Sequence, residues 1–553
     1  MSEKPNLLAE GTSDKLSTVD VSPLSKELVI GFVGYVGAGC STAAKRLEVF
    51  LQQENYDVHL VKLSGLIENY SSTTPDNVVA HGIGAGPSRL ERASKLQDLG
   101  DEIRKNHGHH AISSLAIQEI RRLRGPGQPG RRKIAFLLDS IKHHNEVELL
   151  RRVYDQSFRL VAVHCDRTNR EHRLIGGKTS TAKYAGAPET KVLEYMERDE
   201  KDAGRRHGQQ VRDAFYLADF FVDNNATSQS GEQLNDDLQR FVNLLLGLGL
   251  VRPTSDERAM YHAHAAALQS SCLSRQVGAA LVSAEGTILS TGTNDVPKYG
   301  GGVYDENSEV DNRCFAWEWT DGAFKFVGCH NQRRKKLLRE NIAEWLSSEL
   351  AEELAEIAHP MSSNEMDTGA KARQQAAIAI SNYFSNSASR MEELPGIKDI
   401  VEYSRSVHAE MNAVLSAARS GISPVGTRLF CTTYPCHNCA RHLVTAGIEE
   451  VRFIEPYVKS LATELHSDAI ITEPPSKQPS GKKAKATHMV ISPFTGVGPR
   501  MFDDFFTKRS EMKTDDGTYL APEGGLPAHA VRMLELDLVE EGAASLISGS
   551  DHG

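Results

Sequence analysis

Apolar runs and amphipathic segments alternate along the first part of the chain. Leu28–Val33 is a continuous apolar run, and Phe158–Cys165 is apolar apart from Arg159 and His164; both have the length typical of strands buried on both faces of a sheet. Segments with helical periodicity lie between such runs, among them Ala43–Glu54 and Leu90–Lys105. Because strands and helices alternate repeatedly, residues 28–250 are predicted to form an α/β domain with a doubly wound parallel sheet.

The pattern changes in the second half. A helical segment and two short strands lie between Glu257 and Asn294, and helices and strands alternate again further on. This order predicts a second α/β domain, an α/β/α sandwich, over residues 251–553. Residues 305–405 exceed what such a sandwich needs. Helical patterns at Arg333–Ala358 and Lys371–Ser385 predict that this insertion is a helical element.

A glycine-rich turn connects the first strand to the first helix. Its candidate nucleotide-binding residues are Gly34, Gly37, Gly39, Cys40, Ser41 and Thr42. A strand, a glycine-rich loop and a helix form the context of a phosphate-binding P-loop, whose backbone N–H groups close on phosphate oxygens. Cys40 stands where such loops carry a lysine, so we expect nucleoside triphosphate (NTP) binding without phosphoryl transfer. The alternative is a glycine-rich turn without a ligand.

Two features further along bear on the same loop. Asp139 ends an apolar strand, where a P-loop enzyme places a magnesium-binding carboxylate and where an aspartate equally often caps a helix. Asp166–Arg173 carries arginines at three-residue spacing, which resembles the lid of a nucleotide kinase and also fits a solvated basic helix face. Residues 28–250 as a whole resemble a P-loop nucleoside or nucleotide kinase domain that lacks its key lysine.

A histidine, a glutamate and two cysteines form the most specific pattern in the chain. The sequence VHAE at residues 407–410 is followed by PCHNC at residues 435–439, which together match the signature of the zinc nucleobase deaminases. His408, Cys436 and Cys439 would be three ligands of a tetrahedral Zn²⁺ whose fourth position stays open for water. Glu410 would move protons between that water, the base and the leaving ammonia. Cys-x-x-Cys alone could also be a structural zinc site or a redox pair. A structural site usually has a fourth cysteine or histidine, whereas the further residue of this motif is Glu410.

Charge and cysteine content narrow the function classes. The 553 residues carry a formal net charge of −10, which favours a small nucleotide substrate over a long nucleic-acid groove. No apolar run is long enough to span a membrane, and the polar residues 1–27 are predicted to be a disordered tail without a signal-peptide core. The eight cysteines are scattered, which fits a reducing compartment. We therefore expect a cytoplasmic protein without membrane contact.

The zinc motif lies within a longer stretch that has a family likeness. Cys431–Ala440, Ala446–Ile448 and Glu455–Ser460 are similar to segments of the deoxycytidylate deaminases. A P-loop kinase-like domain fused to such a deaminase domain resembles the bacterial anti-phage dCTP deaminases. The resemblance implies zinc-dependent conversion of dCTP, or dCMP, to the deoxyuridine nucleotide with release of ammonia, which would deplete dCTP during phage infection. It also implies a homo-oligomer and a P-loop half that responds to a regulatory nucleotide or RNA.

Two further site predictions depend on this resemblance. Asn294 follows the second strand of the deaminase half and is predicted to contact the sugar, with a turn-capping role as the alternative. Cys272 lies where some deoxycytidylate deaminases place a ligand of a second, structural zinc. Cys314, Cys329 and His330 could complete that site, but their spacing is irregular, and unpaired buried cysteines are the alternative.

A polynucleotide substrate is the main alternative to a free nucleotide. A cytosine deaminase that acts on single-stranded DNA or RNA would need a basic groove and stacking aromatic side chains. The negative net charge and the kinase-like half favour the free nucleotide. A true nucleotide kinase is not expected, because Cys40 replaces the lysine.

Overall fold

The computed structural model describes most of both predicted domains. The described residues are 26–73, 88–125, 132–176, 182–200, 207–225, 230–316, 328–357, 378–379, 403–456, 460–472, 487–508, 511–520 and 536–547. The predicted N-terminal tail and the predicted helix Lys371–Ser385 lie almost wholly outside these ranges. Of the predicted insertion, a long helix at His330–Ile357 is described.

Strands and helices alternate as the apolar pattern predicts. The strands are β1 Leu28–Val33, β2 Asp57–Lys62, β3 Ile134–Ile141, β4 Phe158–His164, β5 Phe220–Asp223, β6 Gly278–Val282, β7 Ile288–Thr293, β8 Arg428–Thr433, β9 Glu450–Glu455, β10 Ile470–Ile471, β11 Met489–Pro493 and β12 Gly496–Val497. The α-helices are Cys40–Gln53, Leu63–Thr73, Arg89–His107, Ala111–Arg124, His144–Tyr154, Arg167–Ile175, Glu189–Glu200, Val211–Phe215, Ser230–Leu245, Ser255–Ala267, His330–Ile357, Ala409–Arg419, His437–Thr445, Ala462–Leu465, Phe502–Phe506 and Leu536–Ser545.

The first unit contains a sheet with the strand order β12-β5-β4-β1-β3-β2. Strands β1 to β5 run parallel, and β12 pairs antiparallel with β5. Helices Cys40–Gln53 and Ser230–Leu245 share an apolar core with one set of strand side chains. Helices Ala111–Arg124 and His144–Tyr154 contact the strands outside that core. The predicted doubly wound parallel sheet is confirmed, with β12 as an antiparallel addition.

The second unit contains a mixed sheet with the strand order β10-β11-β9-β8-β6-β7. Helices Ala409–Arg419 and His437–Thr445 share a core with one face of this sheet, to which Ala279 of β6 belongs. The preceding residue, Gly278, faces the other way because side chains alternate along a strand. A Cβ added at Gly278 would lie 1.9 Å from a carbonyl oxygen of helix Ser255–Ala267, so that helix packs directly on the other face. The predicted α/β/α sandwich is confirmed.

The chain divides differently from the predicted boundaries at its C-terminal end. One compact unit combines Met1–Glu257 with Pro493–Gly553, and the other is Arg258–Ser492. The sequence pattern predicts one strand and turn over Met489–Gly498, whereas the structure has two strands in different sheets. Gly496, the first residue of β12 and the partner of Phe221 in β5, has a φ of +110°, a conformation that favours glycine.

Buried ion pairs fix the C-terminal helix within the first unit. Two guanidinium nitrogens of Arg124 each lie 2.7 Å from a carboxylate oxygen of Glu540, which belongs to helix Leu536–Ser545. The same guanidinium contacts Glu27, and all three side chains are buried. Bidentate contacts of this kind are strong and directional. A local sequence pattern does not predict them, because the partners are far apart in the chain.

Candidate active site

Two helix N-termini bring the predicted zinc ligands together in the second unit. His408 is the N-cap of helix Ala409–Arg419, and Cys436 is the N-cap of helix His437–Thr445. Cys439 lies in the first turn of the second helix. Because helix N-termini carry partial positive charge, both positions favour thiolate ligands and neutral imidazole.

The three donor atoms have the spacing of a metal site. Nδ1 of His408 lies 3.3 Å from Sγ of Cys436 and 3.3 Å from Sγ of Cys439, and the three atoms all lie within 4.8 Å of one another. The bond lengths of a tetrahedral zinc site imply distances of about 3.5–3.8 Å between such ligands. Among the described residues this is the group of three donors that could hold a metal ion. The donor set therefore fits Zn²⁺ with one position left for a fourth ligand.

The three donors share protons in this arrangement. A hydrogen bond from Cys439 lowers the pKa of Cys436 to about 4, against the opposing effect of burial. A hydrogen bond with Cys436 raises the pKa of His408 to about 9. A cation bound between them would replace these protons, since metal binding to thiolate and neutral imidazole releases protons.

Glu410 lies in the first turn of the helix that follows His408 and faces the same cleft. Its side chain is buried, and burial raises the pKa of its carboxyl group. It does not belong to the group of three metal donors. A buried carboxyl group beside a metal site, but outside the ligand set, is placed to exchange protons with a water or substrate in the cleft.

Close packing against β7 fixes the position of the helix that carries these residues. A Cβ added at Gly292 would lie 2.3 Å from the carbonyl oxygen of Ala409 and 2.3 Å from the nitrogen of Ala413, so no larger residue fits without a shift of the helix. The side chain of Asn412 donates a hydrogen bond to the Thr293 carbonyl oxygen at 2.9 Å. The register between strand and helix is thereby set by one glycine and one amide.

The cleft above the metal donors has a volume of about 190 Å³. It is lined by Cys272, Ser274, Arg275, Val277, Asn294, Asn331, Ser404, Ser406, His408, Ala409, Glu410, Thr433, Tyr434 and Cys436. Arg275 was not predicted as a site residue; its guanidinium pairs with Glu455 and contacts the Thr433 hydroxyl. Its position could have been inferred from that of Asn294. Arg275 lies before the start of β6 and Asn294 lies after the end of β7, and these two ends are adjacent because the strands are antiparallel neighbours.

The predicted sugar-contacting residue, Asn294, lines the cleft, but its side chain is engaged elsewhere. Oδ1 accepts a hydrogen bond from the Val277 backbone N–H at 2.7 Å, and Nδ2 donates to the Arg275 carbonyl oxygen at 2.8 Å. These hydrogen bonds join the residues just before β6 to the residue just after β7. Its contact with a sugar stays a prediction.

The four candidate ligands of a second zinc do not assemble into a group of three donors in the described part of the chain. Cys272 lines the cleft beside the first site. Sγ of Cys329 lies 3.7 Å from the Ser274 hydroxyl. Burial raises the pKa of Cys314. Cys314 also accepts a hydrogen bond from the His330 backbone and lies close enough to Cys329 and Cys272 for their charges to interact, so a second zinc site stays a prediction.

Of the predicted P-loop residues, the three glycines lie between β1 and helix Cys40–Gln53, and Cys40, Ser41 and Thr42 form the first turn of that helix. Gly37 and Gly39 have φ values of +85° and +96°, as such a loop requires. The Ser41 hydroxyl donates to Oδ2 of Asp139 at 2.6 Å. The helix after β3 has a different N-cap residue, so Asp139 is the carboxylate beside the P-loop serine and not a helix cap.

No described helix has the length and apolar character needed to cross a membrane.

Part of the chain is similar to known proteins. Residues 253–455 match the family model described as the cytidine and deoxycytidylate deaminase zinc-binding region. The chain is 38% identical over 69 residues to the ComE operon protein 2 of Bacillus subtilis (strain 168), which is 12% of this chain and 36% of that protein. It is 41% identical over 54 residues to the deoxycytidylate deaminase of Enterobacteria phage T2, which is 10% of this chain and 29% of that protein.

The similarity is thus confined to about a third of the length of these relatives. A crystal structure of the dCMP deaminase from cyanophage S-TIM5 in complex with dCMP and dUMP covers 44% of this chain and 99% of that chain, at 17% identity and a TM-score of 0.21. The sequence matches show that part of this chain is similar to the zinc-binding region of the cytidine and deoxycytidylate deaminases.

Proposed function

We propose that the second unit catalyses the zinc-dependent hydrolytic deamination of deoxycytidine nucleotides, dCTP or dCMP, to deoxyuridine nucleotides and ammonia. The observation that carries this proposal is the His408, Cys436 and Cys439 donor triangle with the buried Glu410 beside it in one cleft. A structural zinc site would fill the fourth position with another cysteine or histidine. Here the carboxyl group of Glu410 lines the same cleft without being one of the three donors, where it could exchange protons with a reacting water.

The residues of the chain divide the work between binding and proton transfer. His408 and the two cysteines would hold Zn²⁺, which when bound lowers the pKa of a water molecule toward neutrality. Glu410 would take a proton from the attacking water and deliver it to the ring nitrogen of the cytosine. It would then take the second proton from the hydroxyl group added to the ring carbon and pass it to the amine, which leaves as ammonia.

Recognition of the nucleotide is assigned to the rim of the cleft. Asn294 would contact the deoxyribose, with its two observed hydrogen bonds holding the amide in place. The Arg275 guanidinium lines the same cleft and forms an ion pair with Glu455. An anionic nucleotide would compete with Glu455 for this guanidinium. The preference for dCTP or dCMP depends on how many phosphates reach it.

The wider roles of the protein rest on its resemblance to the anti-phage dCTP deaminases. We propose that the activity lowers dCTP during phage infection, that the P-loop half regulates it in response to a nucleotide or RNA, and that the chain assembles as a homo-oligomer in the cytoplasm. Cys272, Cys314, Cys329 and His330 stay the candidate ligands of a second, structural zinc. A metal content of two zinc ions per chain would support that site, and a content of one would exclude it.

The test of the central proposal is ammonia release by purified, zinc-loaded protein. The substrates are dCTP, dCMP, CTP, cytidine and single-stranded DNA in parallel, with the Glu410→Gln variant as the control for chemistry. Turnover of dCTP or dCMP that disappears in the variant supports the proposal. Turnover of DNA alone would replace it with a polynucleotide deaminase that the P-loop half regulates.

A further inference from the structure

A lysine from a neighbouring strand end lies beside the P-loop that lacks one. Nζ of Lys142 donates to the Gly34 carbonyl oxygen at 3.1 Å and lies 2.7 Å from Oδ1 of Asp199. Burial raises the pKa of Cys40 to about 12, and the charge of Lys142 acts against that shift. Cys40 is therefore a neutral thiol at the position of the usual lysine, with the Lys142 ammonium group nearby.

An irregularity in β3 sets the position of this lysine. Residues 28–31 of β1 pair one to one with residues 135–138 of β3, but Val33 pairs with Ile141. One extra residue therefore lies in β3 between these pairs, and Ser140 has a φ of +75° there, a conformation that residues other than glycine rarely adopt. Bulges of this kind redirect side chains and are frequent next to functional sites. The shift orients Asp139 toward Ser41 and brings Lys142 over the loop.

Two side chains donate hydrogen bonds to backbone carbonyl groups of the P-loop. Nη1 of Arg173 donates to the carbonyl oxygens of Gly37 and Ala38, each at 3.1 Å, and Nδ2 of Asn224 donates to the Ala38 oxygen at 2.7 Å. The N–H of Gly39 belongs to the same planar peptide unit as the Ala38 carbonyl group and points away from these donors. Arg173 thus supports the P-loop and is not part of a solvated basic face.

A carboxylate lies where the loop would bind an anion. Oδ2 of Asp199 accepts a hydrogen bond from the Val36 N–H at 2.7 Å, while its other oxygen pairs with Lys142. Asp199 is 1% exposed. A backbone N–H and a lysine ammonium are the two kinds of donor that a P-loop presents to phosphate oxygens. Asp199 therefore engages both donors in the way that a phosphate group would.

The surrounding cleft has further groups suited to a ligand. It has a volume of about 600 Å³, and Lys62, Arg89 and Lys183 lie along its wall. Gln97 also lines it and is 3% exposed; its Nε2 donates to Gln209, but its Oε1 has no hydrogen-bond partner among the described residues. An acceptor that is buried without a partner costs free energy unless a ligand donates to it.

We propose that this cleft binds a Mg²⁺-bound nucleoside triphosphate, with Lys142 as the phosphate-binding lysine that the P-loop itself lacks. On binding, the Lys142 ammonium group exchanges the Asp199 carboxylate for phosphate oxygens, and the Val36 N–H is released in the same step. Ser41 and Asp139 hold the Mg²⁺, as the P-loop serine and its partner aspartate do in related sites. No covalent bond changes in this step. The proposal concerns the first unit and does not rest on the deaminase function.

The test is equilibrium binding of Mg²⁺-ATP and Mg²⁺-GTP to the full-length protein by calorimetry. Lys142→Met keeps the length of the side chain and removes its charge, and we expect it to weaken binding about 10- to 100-fold, the usual loss for a charged hydrogen bond. Lys45→Met is the matched control, because Lys45 is exposed on helix Cys40–Gln53 and does not line the cleft. Equal affinity of Lys142→Met and wild-type protein would overturn the proposal, as would a wild-type protein that binds neither triphosphate.

Two further variants separate a direct role of Lys142 from a structural one. Cys40→Lys in the Lys142→Met background restores a lysine at the usual position and should recover most of the lost affinity. Asp199→Asn removes the carboxylate that competes with phosphate and should tighten binding several-fold. Thermal unfolding of each variant confirms that it is folded. If neither recovery nor tightening occurs in folded variants, Lys142 is a structural residue and the proposal fails.

Discussion

The stacked histidines of the first unit should make its stability depend on pH. The ring of His143 stacks on His109 and on His144, with centroid distances of 4.9 Å and 4.5 Å, and His207 stacks on His109 at 4.8 Å. His143 is 1% exposed, and its Nδ1 accepts a hydrogen bond from the Asn145 N–H at 3.2 Å. The ring is therefore neutral, with its proton on Nε2.

Protonation of this ring is unfavourable in the folded state. Burial lowers the pKa of His143 to about 2, and the Arg104 cation acts in the same direction. The unfolded chain has a histidine pKa of about 6.5. Between these two values the unfolded chain binds a proton that the folded chain does not, so stability is fully present above pH 6.5 and is lost as the pH falls below it. The loss is about 1.4 kcal/mol at pH 5.5 and about 2.7 kcal/mol at pH 4.5.

The variant His143→Asn tests this prediction. Asparagine keeps an acceptor for the Asn145 N–H at the helix N-terminus but does not titrate. Urea unfolding at pH 7.5 and 5.5, followed by a brief protease pulse and mass spectrometry of peptides from β1 and β3, reports on the first unit alone. Wild-type protein should lose about 1.4 kcal/mol more than the variant between the two pH values. His172→Asn, at an exposed histidine, is the control. An equal loss in wild-type protein and His143→Asn would refute the reasoning.

Three further predictions concern packing, a buried ion pair and the metal. Gly292→Ala adds a Cβ 2.3 Å from the backbone of the adjacent helix, and should lower both the zinc content and the free energy of unfolding, the latter by about 1–3 kcal/mol in urea denaturation. Glu540→Gln leaves the buried Arg124 charge only partly compensated and should cost about 3–5 kcal/mol, measured by the same protease pulse. Removal of zinc with a strong chelator should expose the Cys436 and Cys439 thiols to a colorimetric thiol reagent and destabilise the second unit.

Each of these predictions has a matched control. Gly542→Ala places a methyl group where no atom lies within 4 Å and should leave zinc content unchanged. Glu119→Gln breaks an exposed pair with Arg122 and should cost less than about 1 kcal/mol. Zinc-loaded protein should show the two thiols protected. Full zinc content in Gly292→Ala, equal losses in the two glutamate variants, or protected thiols after chelation would contradict the corresponding prediction.

The zinc site could be predicted because few residue types can form it. One imidazole nitrogen and two thiolate sulfurs are a ligand set typical of Zn²⁺. The glutamate two residues after His408 is typical of the acid–base group of the zinc deaminases. The apolar sequences of β1 and β4 likewise predict strands that are buried on both faces, as in a parallel sheet. The strand signal lies within a few consecutive residues, and the zinc signal lies in two such short segments, 407–410 and 435–439.

Features that depend on long-range contacts could not be predicted in this way. The short strand β12 joins the first sheet only through its pairing with β5, and two residues have no periodicity to detect. The role of Lys142 depends on a one-residue bulge in β3, which the apolar run conceals. Arg275 needed the antiparallel pairing of β6 and β7 to be placed in the cleft.

The most direct test of the central claim is the stoichiometric conversion of a deoxycytidine nucleotide by zinc-loaded wild-type protein and by Glu410→Gln. We predict one deoxyuridine nucleotide and one ammonia per nucleotide consumed. In the variant, bound zinc and the unfolding free energy should be retained, while turnover falls by about 10²- to 10⁴-fold, the usual contribution of a general acid–base group. Wild-type turnover by a zinc-loaded Glu410→Gln variant, or no conversion of dCTP or dCMP by zinc-loaded wild-type protein, would contradict the claim.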